Sequence, residues 1–117
     1  MRVDASHLGP GDSVQQAAVV MRDSGLPQVL VCEADRLVGI VTRRAIVENC
    51  VADGRDSGSM PVGDLCRPTE ATVDVGDSLE RALIVMAEHR VRGLAVLDEG
   101  SFVGVLAQSD VTRALLL

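Results

Sequence analysis

The residues best placed to do chemistry stand at two matching junctions. One is Val103-Gly104-Val105-Leu106-Ala107-Gln108-Ser109-Asp110, an aliphatic run with a glycine inside it that ends in small and polar residues before a helix-like segment. The other, Val38-Gly39-Ile40-Val41-Thr42-Arg43-Arg44-Ala45, has the same shape. A strand that hands over to a helix presents backbone N–H groups at the helix start, and these favour an anion together with the helix dipole. Asp110 is the one carboxylate at the later junction, while Thr42, Arg43 and Arg44 bring a hydroxyl and two cations to the earlier one. Each group has two uses. Asp110 and Ser109 serve either a ligand or the capping of the last helix, where both types are favoured without any ligand. Arg43 and Arg44 either hold an anion or carry solvated charge.

The elements around the junctions follow from pattern. Gly11-Asp12-Ser13 reads as a turn and helix start, with Gln15 or Gln16 placed as in a capping box. Val14, Ala17, Ala18 and Met21 then form one apolar helical face, which Ser24-Gly25 ends. Val29 to Cys32 and Leu37 to Thr42 read as strands joined by the polar turn Glu33 to Arg36, an antiparallel hairpin. Arg43 to Val51 reads as a short helix, and Ser6-His7-Leu8 as a short extended segment. Ala52 to Ser59, rich in Gly, Ser and Asp, reads as a linker.

Then the pattern restarts. A shift of 65 positions carries Gly11-Asp12-Ser13 onto Gly76-Asp77-Ser78, Ala17 onto Ala82, Met21 onto Met86, Val31 onto Val96 and Gly39 onto Gly104, without a gap. One β-α-β-β-α unit of this size would leave a sheet face uncovered, and two copies can bury those faces against each other. The expectation is an α+β chain of two such repeats related by pseudo-twofold symmetry, residues 1–56 and 57–117.

Composition narrows the function classes. Phe102 is the sole aromatic residue in 117, so base-stacking platforms for single-stranded nucleic acid find no rings. Every basic residue is Arg, which removes a Schiff-base or P-loop lysine. The net charge of -6, spread along the chain, does not favour nucleic acid or an anionic membrane. Cys32, Cys50 and Cys66 are far apart and odd in number, which fits reduced small hydrophobes rather than a disulfide framework. No apolar run is long enough to span a bilayer, and the expected location is the cytoplasm. None of the hydrolase, metalloprotease or P-loop motifs is present, and neither His7 nor His89 is placed as a base for Cys50.

The Gly-Asp-Ser helix starts, the Ala and Met on the helix faces and the Val-Gly strands running into Thr42 or Asp110 resemble a pair of CBS domains, a Bateman module. The linker with Val62-Gly63-Asp64-Leu65 is similar to short stand-alone bacterial CBS-pair proteins. The resemblance implies a non-catalytic regulatory module that forms a homodimer and acts through a partner protein. It requires no cofactor, and implies AMP, ADP, ATP or S-adenosylmethionine as regulatory ligand in clefts between the repeats. In the family the motif Asp accepts hydrogen bonds from the ribose 2′ and 3′ hydroxyls, which suits a carboxylate with two acceptor oxygens. By resemblance the Asp110 site is completed by Ser6, His7, Leu26 and Pro27 from the first repeat, and by Arg92, Val105 and Ser109 from the second. Leu26 and Val105 would sandwich an adenine, and Arg92 would meet phosphate, or else is only a solvated charge at a helix end.

This sequence departs from the family pattern. Ala45 stands where the first repeat should have Asp, and Ala107 where the second should have Thr or Ser. Leu30 and Ala95 replace the proline usual in the first hairpin strand. The resemblance therefore transfers one site around Asp110 and a second, half-complete one around Ile40, Thr42 and Arg44. The alternative is a dimerisation and interaction module whose nucleotide sites have decayed.

Overall fold

A computed structural model describes residues 7–116. The described chain is mixed α/β and divides into two compact units, His7–Pro68 and residues 69–116.

In the first unit, α1 (Val14–Ser24) opens on a full capping box. Ser13 Oγ accepts from Gln16 N–H at 3.1 Å and Gln16 Oε1 accepts from Ser13 N–H at 2.8 Å. Gly25 closes the helix in the left-handed conformation, φ 73°, where glycine carries no Cβ penalty. Val14, Ala17 and Met21 are its buried face. Strands β1 (Gln28–Glu33) and β2 (Arg36–Thr42) pair antiparallel, with a register shift between Val31 and Cys32. The helix after the hairpin, α2 (Arg43–Ile46), runs on through a π turn at Val47–Val51.

The extended segment expected over Ser6-His7-Leu8 is, among the described residues, one parallel bridge from Leu8 to Val31; Ser6 lies outside them. Leu8 exchanges bonds with β1, donating to Leu30 O at 3.0 Å and accepting from Cys32 N–H at 2.8 Å. The other edge of the hairpin is met by Arg67. Ile40 N–H donates to Arg67 O at 2.8 Å, and Arg67 N–H returns to Ile40 O at 2.9 Å. The stretch after the Gly/Ser-rich turns is therefore structural: Met60, Val62 and Leu65 are buried with Val14, Val31 and Val41 in one core.

The second unit repeats this layout element by element. β3 (Thr72–Asp74) pairs parallel with β4 (Gly93–Asp98), and β4 pairs antiparallel with β5 (Ser101–Ala107). Between β3 and β4 runs α3 (Leu79–His89), capped by Ser78, whose Oγ accepts from Arg81 N–H at 3.0 Å. The last helix, α4 (Gln108–Leu115), starts directly after β5. The shift of 65 holds to the residue for α1 and α3, β1 and β4, and β2 and β5. It also carries the bulge, the turn (Ala34 φ 55°, Glu99 φ 50°) and the left-handed helix ends, where Arg90 at φ 55° stands in for Gly25. Its core gathers Val73, Ala82, Met86, Leu94, Val96 and Leu106 with Val111.

Candidate functional site: two strand–helix junctions

Each junction is closed by the same main-chain bond. At the first, Arg43 N–H donates to Pro27 O at 2.8 Å; at the second, Gln108 N–H donates to Arg92 O at 2.8 Å. Pro27 and Arg92 are thus structural counterparts, as the shift of 65 positions places them. In both units the bond fixes the helix start against the loop that leads into the hairpin.

The capping chemistry then diverges. Thr42 Oγ1 accepts from Ala45 N–H at 3.0 Å, so the hydroxyl is engaged in holding α2. Ala107 occupies the same cap position and offers no side-chain acceptor. Asp110 and Ser109 do not take over that role, because both lie inside the first turn of α4 rather than at its cap. Thr42→Ala should therefore cost about 1 kcal/mol, the usual worth of such a cap, and Ala107→Ser should add stability of similar size. Urea midpoints of the two variants check this; no change in Thr42→Ala would mean that α2 does not depend on its cap.

Asp110 is the more protected of the charged candidates. Its side chain keeps 11% of its exposure, while the guanidinium of Arg113, at 73%, approaches its Oδ1 to 3.6 Å. A carboxylate in the first turn already complements the positive end of the helix dipole. An added phosphate at this helix start would meet that charge, so the junction suits hydroxyl donors better than an anion. Arg92 and Ser109 are exposed beside it, and Val105 is half-buried on β5, two residues ahead of the cap.

At the first junction the cationic candidate is occupied. Arg44 Nε donates to Glu48 Oε1 at 2.9 Å, one helical turn on, and both side chains are exposed. The hydrogen bond and charge of Glu48 raise the guanidinium's pKa further above its ordinary value. Arg43 is exposed, and Ile40 holds Arg67 through its backbone. Leu26 and Pro27 are half-buried in the same unit, and His7 is exposed.

The thiols show no sign of activation. Burial pushes the Cys32 thiol up to about 11, with the nearby Cys66 adding to the shift, and burial also raises Cys66. A thiolate is the reactive form, so both changes oppose reactivity. Cys50 is buried and donates to Arg55 O at 3.6 Å. One polar cavity has none of the predicted site residues in its lining. It has a volume of about 520 Å³ in the first unit, and Asp53, Arg55, Asp64 and Arg67 among its walls. These four come from the expected linker and from the segment between it and β3, where the sequence shows charge but no spacing rule that would have marked a pocket.

Comparison with known proteins agrees with this geometry. The family described as CBS domain matches residues 1–52 and again 62–117. Hypoxic response protein 1 of Mycobacterium tuberculosis is 33% identical over 116 residues, covering 98% of this chain and 81% of its own length. A crystal structure of Hypoxic Response Protein I with two coordinated zinc ions superposes with a TM-score of 0.78 at 32% identity, covering 97% of this chain and 94% of that one. The crystal structure of CBSX2 in complex with AMP gives 0.75 at 25% identity, covering 96% and 87%. With two matches to the family, two copies of one β-α-β-β-α layout and relatives that align nearly end to end, the chain belongs to the CBS domain family as a tandem pair.

Proposed function

We propose that the chain is a non-catalytic regulatory module that binds an adenosine-containing ligand at the Asp110 junction and acts through a partner protein in the cytoplasm. The observation that carries this reading is the nearly buried Asp110 carboxylate, set in the first turn of α4 next to the Arg92–Gln108 clamp. It is suited to accept hydrogen bonds from a vicinal diol. Arg92 would face the phosphate, with Val105 and Ser109 on the same junction. Ser6, His7, Leu26 and Pro27 are the proposed complement from the first repeat, and AMP bound to CBSX2 supports the ligand class. Ile40, Thr42 and Arg44 form the weaker second site. A metal ligand is less well supported: among the described residues no three His, Cys, Asp or Glu side chains gather as a zinc ion needs.

The proposed assembly is a homodimer. Exposed apolar side chains recur at positions matched by the shift of 65, Val19 at 37% and Ile84 at 52% on helices, Val51 at 64% and Leu116 at 82% at helix ends, which marks faces that gain from being covered. Among the described residues no helix is long and apolar enough to cross a membrane.

AMP, ADP, ATP and S-adenosylmethionine, titrated while thermal unfolding is followed, test the reading. A ligand at 100 times its Kd should stabilise the protein by about 2.7 kcal/mol, and Asp110→Asn should abolish the response. If none moves the melting temperature at millimolar concentration, ligand sensing fails. That result would favour the second reading, an interaction module with decayed sites. The Arg44–Glu48 pair and the alanines at positions 45 and 107 already support that reading.

A further inference from the structure

The first repeat departs from the second at the far end of α2. The last helix, α4, is α-helical from Gln108 to Leu115, whereas α2 gives way to a π turn at Val47–Val51. Ala52 N–H donates to Val47 O at 2.8 Å and Arg55 N–H to Cys50 O at 2.9 Å, each five residues back. Turns of this kind are rare, and they recur at functional sites. This one leads into the polar cavity of about 520 Å³, to whose lining Asn49, Asp53 and Arg55 belong. The segment after the Gly/Ser-rich turns supplies Asp64 and Arg67 to the same lining, together with the buried apolar side chains of Met60 and Leu65. The junction at Thr42 lies at the opposite end of the helix.

Main-chain bonds hold both segments in place. Cys50 Sγ donates to Arg55 O at 3.6 Å, beside the return bond from the Arg55 amide. Asp64 N–H donates to Pro61 O at 3.1 Å and Leu65 N–H to Val62 O at 3.0 Å, while Arg67 is fastened to Ile40 by both its amide and its carbonyl. The charges are balanced on each segment. Asp53 stands with Arg55 after α2, and Asp64 with Arg67 on the other segment, all four exposed. Among the described residues none of these four enters an ion pair, although Arg22, Arg44 and Arg113 each approach a carboxylate at 2.9 to 3.6 Å. Two guanidiniums and two carboxylates therefore line one cavity without neutralising each other directly.

A bare metal ion would meet two guanidiniums here, and an inorganic anion two carboxylates. A ligand that carries both charges avoids either repulsion. We propose that this cavity binds a small zwitterion, an α-amino acid or short peptide with an apolar side chain. Arg55 and Arg67 take the carboxylate, which a guanidinium can meet with two parallel N–H donors. Asp53 and Asp64 take the ammonium. Asn49, with an acceptor oxygen and two donor hydrogens, serves either end. Met60 and Leu65 receive the apolar side chain. The volume lies within the roughly 300–1,000 Å³ of small-molecule pockets. The ligand would tie the end of α2 to the segment that pins β2 through Arg67. None of these residues belongs to either proposed nucleotide site, so the proposal does not depend on nucleotide binding.

The probes are L-leucine and L-leucyl-L-leucine, titrated into the full chain at low salt and followed by isothermal calorimetry. One-to-one saturation is expected, and the tighter of the two tells a free amino acid from a peptide. The C-terminal amide of each probe lacks the carboxylate and the N-acetyl form lacks the ammonium. Both should bind at least about tenfold more weakly, equivalent to about 1.4 kcal/mol. The double variant Arg55→Gln, Arg67→Gln should lose the preference for the parent probe over its amide. Asp53→Asn, Asp64→Asn should lose the preference over its N-acetyl form. All four side chains are exposed, so both variants should keep the wild-type melting temperature without ligand. Arg36→Gln, exposed and outside the cavity, should leave binding unchanged, and added salt should weaken it. Three results would overturn the proposal. One is no saturation by either probe at tens of millimolar. Another is equal affinity for the parent, amide and N-acetyl forms, which would remove the two-charge recognition. The third is wild-type binding in both double variants, which would place the probe elsewhere.

Discussion

Gly39→Ala should lower stability by about 3 kcal/mol, although on propensity alone alanine would improve a strand by about 0.5–1 kcal/mol over glycine. The reason is steric. A Cβ at position 39 would run into the carbonyl of Arg67, with that carbonyl's carbon 2.6 Å away and Cys66 Sγ at 3.0 Å. The obstacle is backbone, and it is pinned by the paired bonds between Ile40 and Arg67. Relief means either forcing an overpacked contact, at about 1–3 kcal/mol, or giving up two hydrogen bonds worth about 1 kcal/mol each. Either route outweighs the propensity gain. The melting temperature should fall by on the order of 10 °C. Val38→Ala, one residue earlier on an exposed side chain, should change it little. If Gly39→Ala melts with the wild type, Arg67 is not a fixed neighbour of β2.

Gly39 also shows what kind of information the sequence carries. Its place in the Val-Gly pattern was visible, as was its partner Gly104, because the repeat preserves residue types at caps, bulges and close approaches. The helices and hairpins could be bounded to within a residue or two for the same reason: Ser13 and Ser78 cap, and Val29 to Cys32 and Leu94 to Leu97 alternate with polar turns. What glycine makes room for was not visible. Arg67 is 28 positions away, and only the folded chain brings it alongside.

The junction residues divide in the same way. Position and residue type were readable for Thr42, Arg44 and Asp110. Their partners were not, since Arg44 and Glu48 are both exposed side chains that could as well face water, and Arg92 meets Gln108 through the tertiary pairing of loop and strand. The segment from Ser57 onward was hidden by its neighbours' composition. Gly, Ser and Asp between 52 and 59 announce a linker, yet Met60, Val62 and Leu65 carry the one signal that argues otherwise: apolar residues spaced to reach a common core.

That signal leads to the other large effect expected of a single substitution. Val62→Asp should destabilise the protein by on the order of 4 kcal/mol. Val62 is 0% exposed in the first core, and its amide donates to Asp12 O at 2.7 Å. Removing the valine forfeits about 1.5–3 kcal/mol of apolar burial. The carboxyl put in its place must either be buried without a prepared partner or pull the segment out of the first core. Val62→Ala isolates the first contribution and should cost about 2 kcal/mol, while Asp64→Asn, exposed on the same segment, should stay within about 0.5 kcal/mol. Urea denaturation gives all three, and pH separates the causes. Burial raises the introduced carboxyl's folded pKa above its unfolded value near 4, so the deficit should be largest at pH 8 and shrink as pH falls through the folded value. A pH-independent loss would mean that the segment has left the core and carries its charge into water. A loss below about 1 kcal/mol in Val62→Asp would instead make residues 60–65 a spacer.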